Sequence, residues 1–184
     1  CYEVNAPLSD FKITIRFKDN AECQGLIFST EKFTLKNFNK NDAFINVAKA
    51  SCAFQRKNTD RLSSYFDRIE LLGHTDCRDF DVKEYKNKKL RSDSAYVDCT
   101  NIKNKKDCGN LGLSALRARQ VFLHLNDSFS EDEKTNCLEK YFKVSGRGRY
   151  EPITEKSICD QDKNKNKEDR RVEFVFFITP PQLK

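Results

Sequence analysis

The stretch RIELLGHTDC, residues 68–77, runs from an apolar segment directly into a histidine, a threonine, an acid and a cysteine. Residues 68–73 are too apolar to face water on both sides, which predicts a central strand of a sheet. His74, Asp76 and Cys77 follow at the end of that strand. Such a group could be a catalytic cluster, half of a metal site or a binding loop, and the rest of the chain has to distinguish the three.

Length and composition indicate one domain with a phenylalanine-rich core. The chain has 184 residues, 38% of them hydrophobic, with 15 Phe and neither Trp nor Met. This is long enough for one core-bearing domain and leaves little for a second. The net charge of +6 suits an anionic polymer or surface without requiring one. No apolar run approaches the ~18 residues of a membrane span, so no span is predicted in this chain.

The cysteines are scattered along the chain, with no CxxC pair and only two histidines beside them, so clustered metal-ligand spacing is missing from the sequence. An even, dispersed set favours disulfides and an oxidising compartment over the alternative of reduced buried thiols. The disulfide candidates are Cys1, Cys23, Cys52, Cys77, Cys99, Cys108, Cys137 and Cys159. By position alone, Cys77 would pair with Cys99 or Cys108, and Cys137 with Cys159, although sequence leaves the connectivity open.

Alternating polarity and short apolar runs predict the strands. Residues 11–17 (FKITIRF) alternate apolar with polar positions, and 25–29 (GLIFS) form a second short apolar stretch. Residues 142–148 (FKVSGRG) are predicted as a strand that runs into a glycine turn. In the last strand, 172–178, one face carries Val172, Phe174, Phe176 and Ile178.

Helical spacing predicts one helix over about 42–56 and another over 113–125. The apolar positions of the first are Phe44, Val47, Ala48 and Phe54. In the second, Arg117 and Arg119 fall outside the apolar stripe. The segment 77–109 lacks periodicity and is rich in Lys and Asn, which predicts a long inserted loop tied down by its cysteines.

A third helix is predicted from Ser130, because Ser130 followed by Glu133 is a capping-box pattern and the first turn is acidic. Leu138 and Tyr141 would face the core. The order of elements predicts an α+β sandwich, with helices packed on one face of a mixed sheet.

Four segments occur in a recognisable order: GHTD at 73–76, NLGLSALRARQV at 110–121, GRGRYEP at 146–152 and DRRVEF at 169–174. Together they resemble the OmpA-like peptidoglycan-binding domain, the family of the OmpA C-terminal domain, peptidoglycan-associated lipoprotein and the flagellar stator protein MotB. The resemblance covers about 26–179 and implies an OmpA-like two-layer sandwich, with 11–17 and 77–109 as additions to a single domain over 1–184.

The resemblance implies non-covalent binding of the peptide stem of peptidoglycan, in many members through diaminopimelate. That side chain ends in an ammonium and a carboxylate on one carbon, so recognition requires an acid and a base held close together. Asp76 matches the family's ammonium-binding acid. Arg117 matches its carboxylate clamp, where a guanidinium makes a bidentate pair that Lys could not. The other predicted binding residues are Asn110, Arg170, Thr75 and Leu113.

The sequence also departs from the family pattern. Cys77 follows GHTD directly, where the family usually has Gly within a few residues. The insertion 77–109 separates Asp76 from Arg117 and could cover, extend or redirect the binding groove. Ser29 stands where some members carry a second ligand-holding acid.

Other chemistries are less well supported by the sequence. His74 matches a structural position, and a disulfide is favoured for Cys77 over a nucleophile paired with His74. The spacing of His74, Cys77, Cys99 and Cys108 is not a standard zinc spacing. No enzyme activity, cofactor or metal is predicted. A nucleic-acid partner is not predicted either, because the Lys/Asn-rich runs lack interleaved aromatic residues. Asp76 and Arg117 could also form an ordinary structural salt bridge.

Two hypotheses therefore stand ahead of an envelope enzyme that uses Cys77. The first is a periplasmic or cell-envelope domain, associated with the outer membrane, that binds peptidoglycan and anchors an envelope protein to the wall. Outer-membrane or motor proteins are its other expected partners. The second is a scaffold or protein-interaction module of the same fold, with the wall site covered or lost. Cys1 is either a disulfide half or the lipid-bearing cysteine of a lipoprotein.

Overall fold

The computed structural model describes residues 2–6, 11–17, 43–57, 66–75, 105–148 and 170–178. Within these ranges, five strands form one sheet in the order β1-β2-β5-β3-β4. The strands are β1 Tyr2–Asn5, β2 Lys12–Phe17, β3 Phe66–Gly73, β4 Phe142–Gly146 and β5 Val172–Ile178. β3 and β4 are parallel, and the other neighbouring pairs are antiparallel. The sheet is therefore mixed, as the sequence predicts.

Three helical segments accompany this sheet in the described part of the chain. α1 spans Ala43–Lys57 and α2 spans Lys105–Ser128. The segment α3 begins with the α-helical turn Glu131–Glu133, widens into π-helix over Lys134–Leu138 and ends with the α-helical turn Glu139–Tyr141. α2 and α3 connect the parallel strands β3 and β4, which need such a crossover.

The capping box predicted at the start of α3 is confirmed. The Ser130 hydroxyl accepts from the Glu133 N–H at 3.3 Å, and the Glu133 carboxylate accepts from the Ser130 N–H at 2.9 Å. Two N–H groups that the helix leaves without intrahelical partners are thereby satisfied. Leu138 and Tyr141 are buried, as predicted.

The core lies between the three helical segments and one face of the sheet, and phenylalanine dominates it as predicted. Its aromatic members are Phe17, Phe44, Phe129, Tyr141, Phe142, Phe174 and Phe176, with Ile45, Ile69, Leu71, Val121, Leu125 and Leu138 among the aliphatic ones. The rings of Phe17 and Phe174 meet edge to face, with centroids 5.1 Å apart. Along β5, the alternate residues Val172, Phe174 and Phe176 belong to the core, which confirms the predicted inner face of the last strand.

A disulfide joins Cys52 of α1 to Cys137 of α3 across 85 residues of sequence. Both cysteines are buried in the core. The predicted pairing of Cys137 with Cys159 is therefore wrong, because α1 and α3 pack on the same face of the sheet although they are distant in sequence. The suggested pairs of Cys77 with Cys99 or Cys108 lie outside the side chains that the structure describes.

The structure differs from the sequence predictions at three other places. β1 is not predicted, because its outward side chains give no buried stripe. α2 begins at Lys105, inside the predicted insertion, since KKDCGN offers no apolar periodicity to reveal a helix. Phe54 is exposed rather than buried.

The predicted stretch 25–29 lies outside the described residues. Within the described ranges, no helix is both long and apolar enough to cross a membrane.

Candidate functional site

Two glycines at the carboxyl ends of the parallel strands allow α2 to lie directly against the sheet. A Cβ placed on Gly73 of β3 would stand 1.8 Å from the Ser114 carbonyl oxygen. A Cβ placed on Gly146 of β4 would stand 2.5 Å from Ser114 Oγ and 2.7 Å from the Leu111 carbonyl oxygen. Any larger residue at either position would collide with the helix. The motifs GHT, GRG and NLGLSALR therefore meet at one point.

Ser114 is the polar centre of this contact. Its hydroxyl donates to the Leu111 carbonyl at 2.7 Å and accepts from the Gly148 N–H at 2.9 Å. Gly148 has a φ of +61°, a left-handed conformation that favours glycine. The turn after β4 is thus fixed to the helix by a side chain that points at its backbone.

The backbone beyond β3 stays connected to both neighbouring strands after the strand itself ends. The His74 N–H donates to the Arg171 carbonyl at 2.8 Å, and the Thr75 N–H donates to the Gly148 carbonyl at 2.8 Å. The Arg147 N–H donates to the Gly73 carbonyl at 2.9 Å. Residues 74–75 therefore have a defined position between β5 and the turn after β4.

Arg117 approaches this segment from the helix. Its Nη1 donates to the His74 carbonyl at 3.0 Å, and the side chain is only 1% exposed. Arg117 is therefore buried although it falls outside the apolar stripe of the helical wheel. Residues 113–118 are all buried. Arg119 is half-buried.

Thr75 adds a hydroxyl group at the end of β3. The residue is buried, and among the described residues its Oγ1 has no hydrogen-bond partner. An unsatisfied buried hydroxyl costs about 1–3 kcal/mol, a cost that a bound polar group or water would remove. The segment 74–75 therefore accepts the Arg117 guanidinium at the His74 carbonyl and carries the Thr75 hydroxyl on the next residue.

The remaining predicted residues are placed as follows. Asn110 is buried in α2, and its backbone lies beside Gly148. Leu113 and Arg170 are also buried, and Arg170 directly precedes Arg171, whose carbonyl accepts from His74. Asp76 and Ser29 lie outside the described residues.

A buried carboxylate lies behind the strand end. Glu173 alternates with the core residues Val172 and Phe174, so it occupies the sheet face away from the helices. Its Oε1 accepts from Arg171 Nε at 2.6 Å, and its Oε2 lies 3.3 Å from His74 Nε2. Burial alone would raise the pKa of Glu173, but the contact with His74 and the charge of Arg171 outweigh it and hold the pKa well below its usual range.

Metal chemistry finds no support in the described residues, where no three His, Cys, Asp or Glu side chains cluster as ligands. Cys77 and Cys99 lie outside those residues, as does the side chain of Cys108. The set of His74, Cys77, Cys99 and Cys108, which the sequence spacing does not favour, is therefore not tested by the structure.

No family model matches the chain, and no curated protein matches its sequence. Among solved structures, the OmpA-like domain of FopA1 from Francisella tularensis shares 16% identity, with 95% of this chain and 77% of that chain covered and a TM-score of 0.46. The chain is similar in structure to OmpA-like domains.

Two further solved structures are of the same kind. The peptidoglycan-associated lipoprotein from Burkholderia pseudomallei shares 15% identity, over 82% of this chain and 86% of that chain, with a TM-score of 0.41. The periplasmic domain of Helicobacter pylori MotB shares 16% identity, over 97% of this chain and 80% of that chain, with a TM-score of 0.45. At these identities the ligand has to be argued from the residues of the site.

Sequence reasoning missed three contributors to this site. Ser114 and Gly148 stand inside the quoted motifs but were not assigned a role, because their function is to join two motifs rather than to contact a ligand. Glu173 ends the RRVE motif, and the acid in an otherwise apolar strand was the available signal. The role of each residue becomes clear only from its contacts with a segment that is distant in sequence: α2 with the turn after β4, and β5 with the end of β3.

Proposed function

We propose that this chain binds the peptide stem of peptidoglycan without covalent chemistry and so anchors an envelope protein to the cell wall. The observation that carries the proposal is the meeting of the four motif segments around the end of β3. There the guanidinium of Arg117 donates to the His74 carbonyl, and the next residue, Thr75, carries a buried hydroxyl with no hydrogen-bond partner in the described part of the chain. The proposal agrees with the descriptions of two structurally similar proteins, one a peptidoglycan-associated lipoprotein and the other a periplasmic MotB domain.

The chemistry of the proposed ligand matches these groups. The end of a diaminopimelate side chain carries an ammonium and a carboxylate on one carbon, and both need a partner of opposite charge when they leave water. Arg117 would pair with the carboxylate, since a guanidinium offers two parallel donors to it. Thr75 would donate to the same carboxylate, and Asp76, the next residue in the chain, would accept from the ammonium.

Binding of the purified protein to isolated peptidoglycan tests this proposal. We expect wild type to sediment with the wall material and Arg117→Ala to stay in the supernatant. Arg117→Lys keeps the charge but loses the fork of donors, so its binding should fall by about tenfold or more. Arg119→Lys and Arg119→Ala are the matched controls, because Arg119 lies on the same helix two residues away and should not change binding. Equal binding by Arg117→Ala and wild type would contradict the proposal.

One observation favours a second function, that of a scaffold or protein-interaction module whose wall site is covered. Arg117 and Asn110 are each 1% exposed and Thr75 is 4% exposed. A ligand cannot reach groups buried to this degree without a local opening. On this alternative, wild type and Arg117→Ala both fail to bind isolated peptidoglycan.

A deletion separates the two functions further. Replacing 78–104 with a short glycine-serine linker leaves α2 intact, because the helix begins at Lys105. If the site is covered, this variant should gain peptidoglycan binding that again requires Arg117. If the site is lost, the variant should still not bind.

The proposed function requires no chemical step. We therefore expect no turnover of peptidoglycan by the purified protein, measured as release of soluble fragments. Fragment release that depends on Cys77 would instead support the envelope-enzyme hypothesis. Outer-membrane association and motor or outer-membrane partners belong to the same proposal and are testable by fractionation and cross-linking in cells.

A further inference from the structure

Glu173 and Arg117 lie on opposite faces of the sheet, yet a single residue contacts both. The Glu173 carboxylate is buried on the face away from the helices, between Arg16 of β2 and Arg171, the residue that precedes β5. Arg117 belongs to α2, which packs on the other face. The residue between them is His74, the first after β3.

His74 is held through three different groups. Its side-chain Nε2 lies 3.3 Å from Glu173 Oε2, within ion-pair distance although the angles are not those of a hydrogen bond. Its N–H donates to the Arg171 carbonyl at 2.8 Å, and its carbonyl accepts from Arg117 Nη1 at 3.0 Å. The imidazole and the carbonyl belong to the same residue, so any rotation of its backbone moves both.

The position of the His74 carbonyl is important because it orients the guanidinium. Binding groups have to stay within about 0.5 Å and 10–20° of their productive geometry, and the residues behind them provide that rigidity. β3 ends at Gly73, and beyond it the N–H groups of His74 and Thr75 bond to the Arg171 and Gly148 carbonyls. The Glu173–His74 contact adds a constraint from the opposite face of the sheet, through the side chain of His74.

We propose that Glu173, acting through His74, is a positioning residue that fixes the orientation of the Arg117 guanidinium. Its importance for ligand binding rests on the proposed peptidoglycan function, whereas the coupling itself concerns the protein alone. Glu173 does not contact the ligand in this scheme. It holds the imidazole, the imidazole fixes the backbone of residue 74, and the carbonyl of that residue directs Arg117.

The experiment measures the Arg117 side chain directly. The ¹⁵N-edited NMR signal of its Nε–H is assigned by its loss in Arg117→Lys and is then followed without ligand in folded Glu173→Gln and His74→Phe. Both substitutions remove the contact and should shift the signal. His74→Gln keeps a donor toward Glu173 and should restore the wild-type position, which a merely space-filling role for His74 would not predict.

The matched control is Glu70→Gln. Glu70 is also a glutamate on the sheet face away from the helices and is paired with Arg68 at 2.9 Å, but it makes no contact with His74. Its substitution should leave the Arg117 signal in place. If Glu173→Gln does not fold, the Arg117 signal of His74→Phe tests the proposal in its place. The Arg117 signal of Glu173→Asp, which keeps the charge on a shorter side chain, is a second test. An unchanged Arg117 signal in the folded variants would overturn the proposal.

Affinity for a soluble stem tetrapeptide that carries diaminopimelate completes the experiment. We expect the dissociation constant to rise about tenfold in Glu173→Gln and His74→Phe, by analogy with the loss of a supporting contact behind a metal-binding side chain. Glu70→Gln and His74→Gln should stay near wild type. If wild type does not bind the tetrapeptide, the proposed function fails while the NMR signal still tests the positioning. If wild type binds but the variants bind equally well, the positioning proposal fails alone.

Discussion

Replacing Gly73 with alanine is the most severe single methyl addition that the structure offers near the site. The new Cβ would lie 1.8 Å from the Ser114 carbonyl oxygen and 2.7 Å from the Ser114 carbonyl carbon, where ordinary contacts begin at 3.4 Å. Both atoms are backbone, so no side-chain rotation relieves the clash. β3 and α2 must therefore separate locally by roughly 1.5 Å, which is a large overpacking of a buried contact.

This separation has a structural and an energetic consequence. The bond from Arg117 Nη1 to the His74 carbonyl is 3.0 Å long, so an added displacement of that size takes it beyond hydrogen-bond range. Overpacking typically costs 1–3 kcal/mol, and the absence of a flexible neighbour puts this case at about 3 kcal/mol or more. Gly73→Ala should therefore lose both stability and any function that depends on the position of Arg117.

Urea unfolding under non-reducing conditions measures the first effect, and the Nε–H signal of Arg117 measures the second. Gly148→Ala is the control, because its Cβ would meet nothing closer than 3.4 Å and has only the left-handed φ of +61° to overcome. That conformation costs an alanine about 1–2 kcal/mol. A Gly73→Ala protein within about 1 kcal/mol of wild type, or less destabilised than Gly148→Ala, would refute the close approach of β3 and α2.

Three further predictions concern single features of the fold. Replacing Cys52 and Cys137 with alanine should lower the free energy of unfolding by about 4 kcal/mol, since the disulfide closes a loop of 85 residues; a loss below about 1 kcal/mol in urea unfolding would contradict this. Because the folded pKa of Glu173 is lowered, its stabilisation is present above the ordinary carboxyl pKa and is lost as the pH falls through the folded value. Wild type should thus lose stability below about pH 4, and Glu173→Gln should lose less between pH 7 and pH 3, as compared by urea midpoints; equal losses would exclude Glu173 as a source. Thr75→Val should raise the unfolding free energy by about 1 kcal/mol while weakening peptidoglycan binding, because it removes a buried hydroxyl that has no hydrogen-bond partner among the described residues; a destabilised variant with unchanged binding would show that the hydroxyl is satisfied elsewhere in the chain and has no ligand.

Much of the fold was predictable from local pattern. The period-2 alternation of 172–178 identified both the last strand and its buried face, and Ser130 with Glu133 identified the start of α3. These features depend on residues only a few positions apart. β1 was not predictable in the same way, because its side chains are exposed and carry no buried stripe. The early start of α2 was missed for a related reason, since KKDCGN has no apolar period.

The candidate site was only partly predictable. Thr75, Asn110 and Arg117 were identified because they stand inside the four motifs, and the structure places them around the end of β3 and the adjoining turn. The burial of Arg117 was not expected from the helical wheel. A wheel gives the direction of a side chain from the helix axis, whereas burial depends on what packs there from elsewhere in the chain.

The sequence by itself determined the α+β class, the inner face of β5, the phenylalanine core and the identity of the motif residues. These follow from side-chain periodicity and capping, which operate between near neighbours. Only the tertiary structure decided that Cys52 bonds to Cys137, that Gly73 is required by the Ser114 backbone, and that Glu173 and Arg117 meet through His74. Each of these depends on a distance between residues far apart in sequence, and such distances are set by the packing of the sheet and helices together.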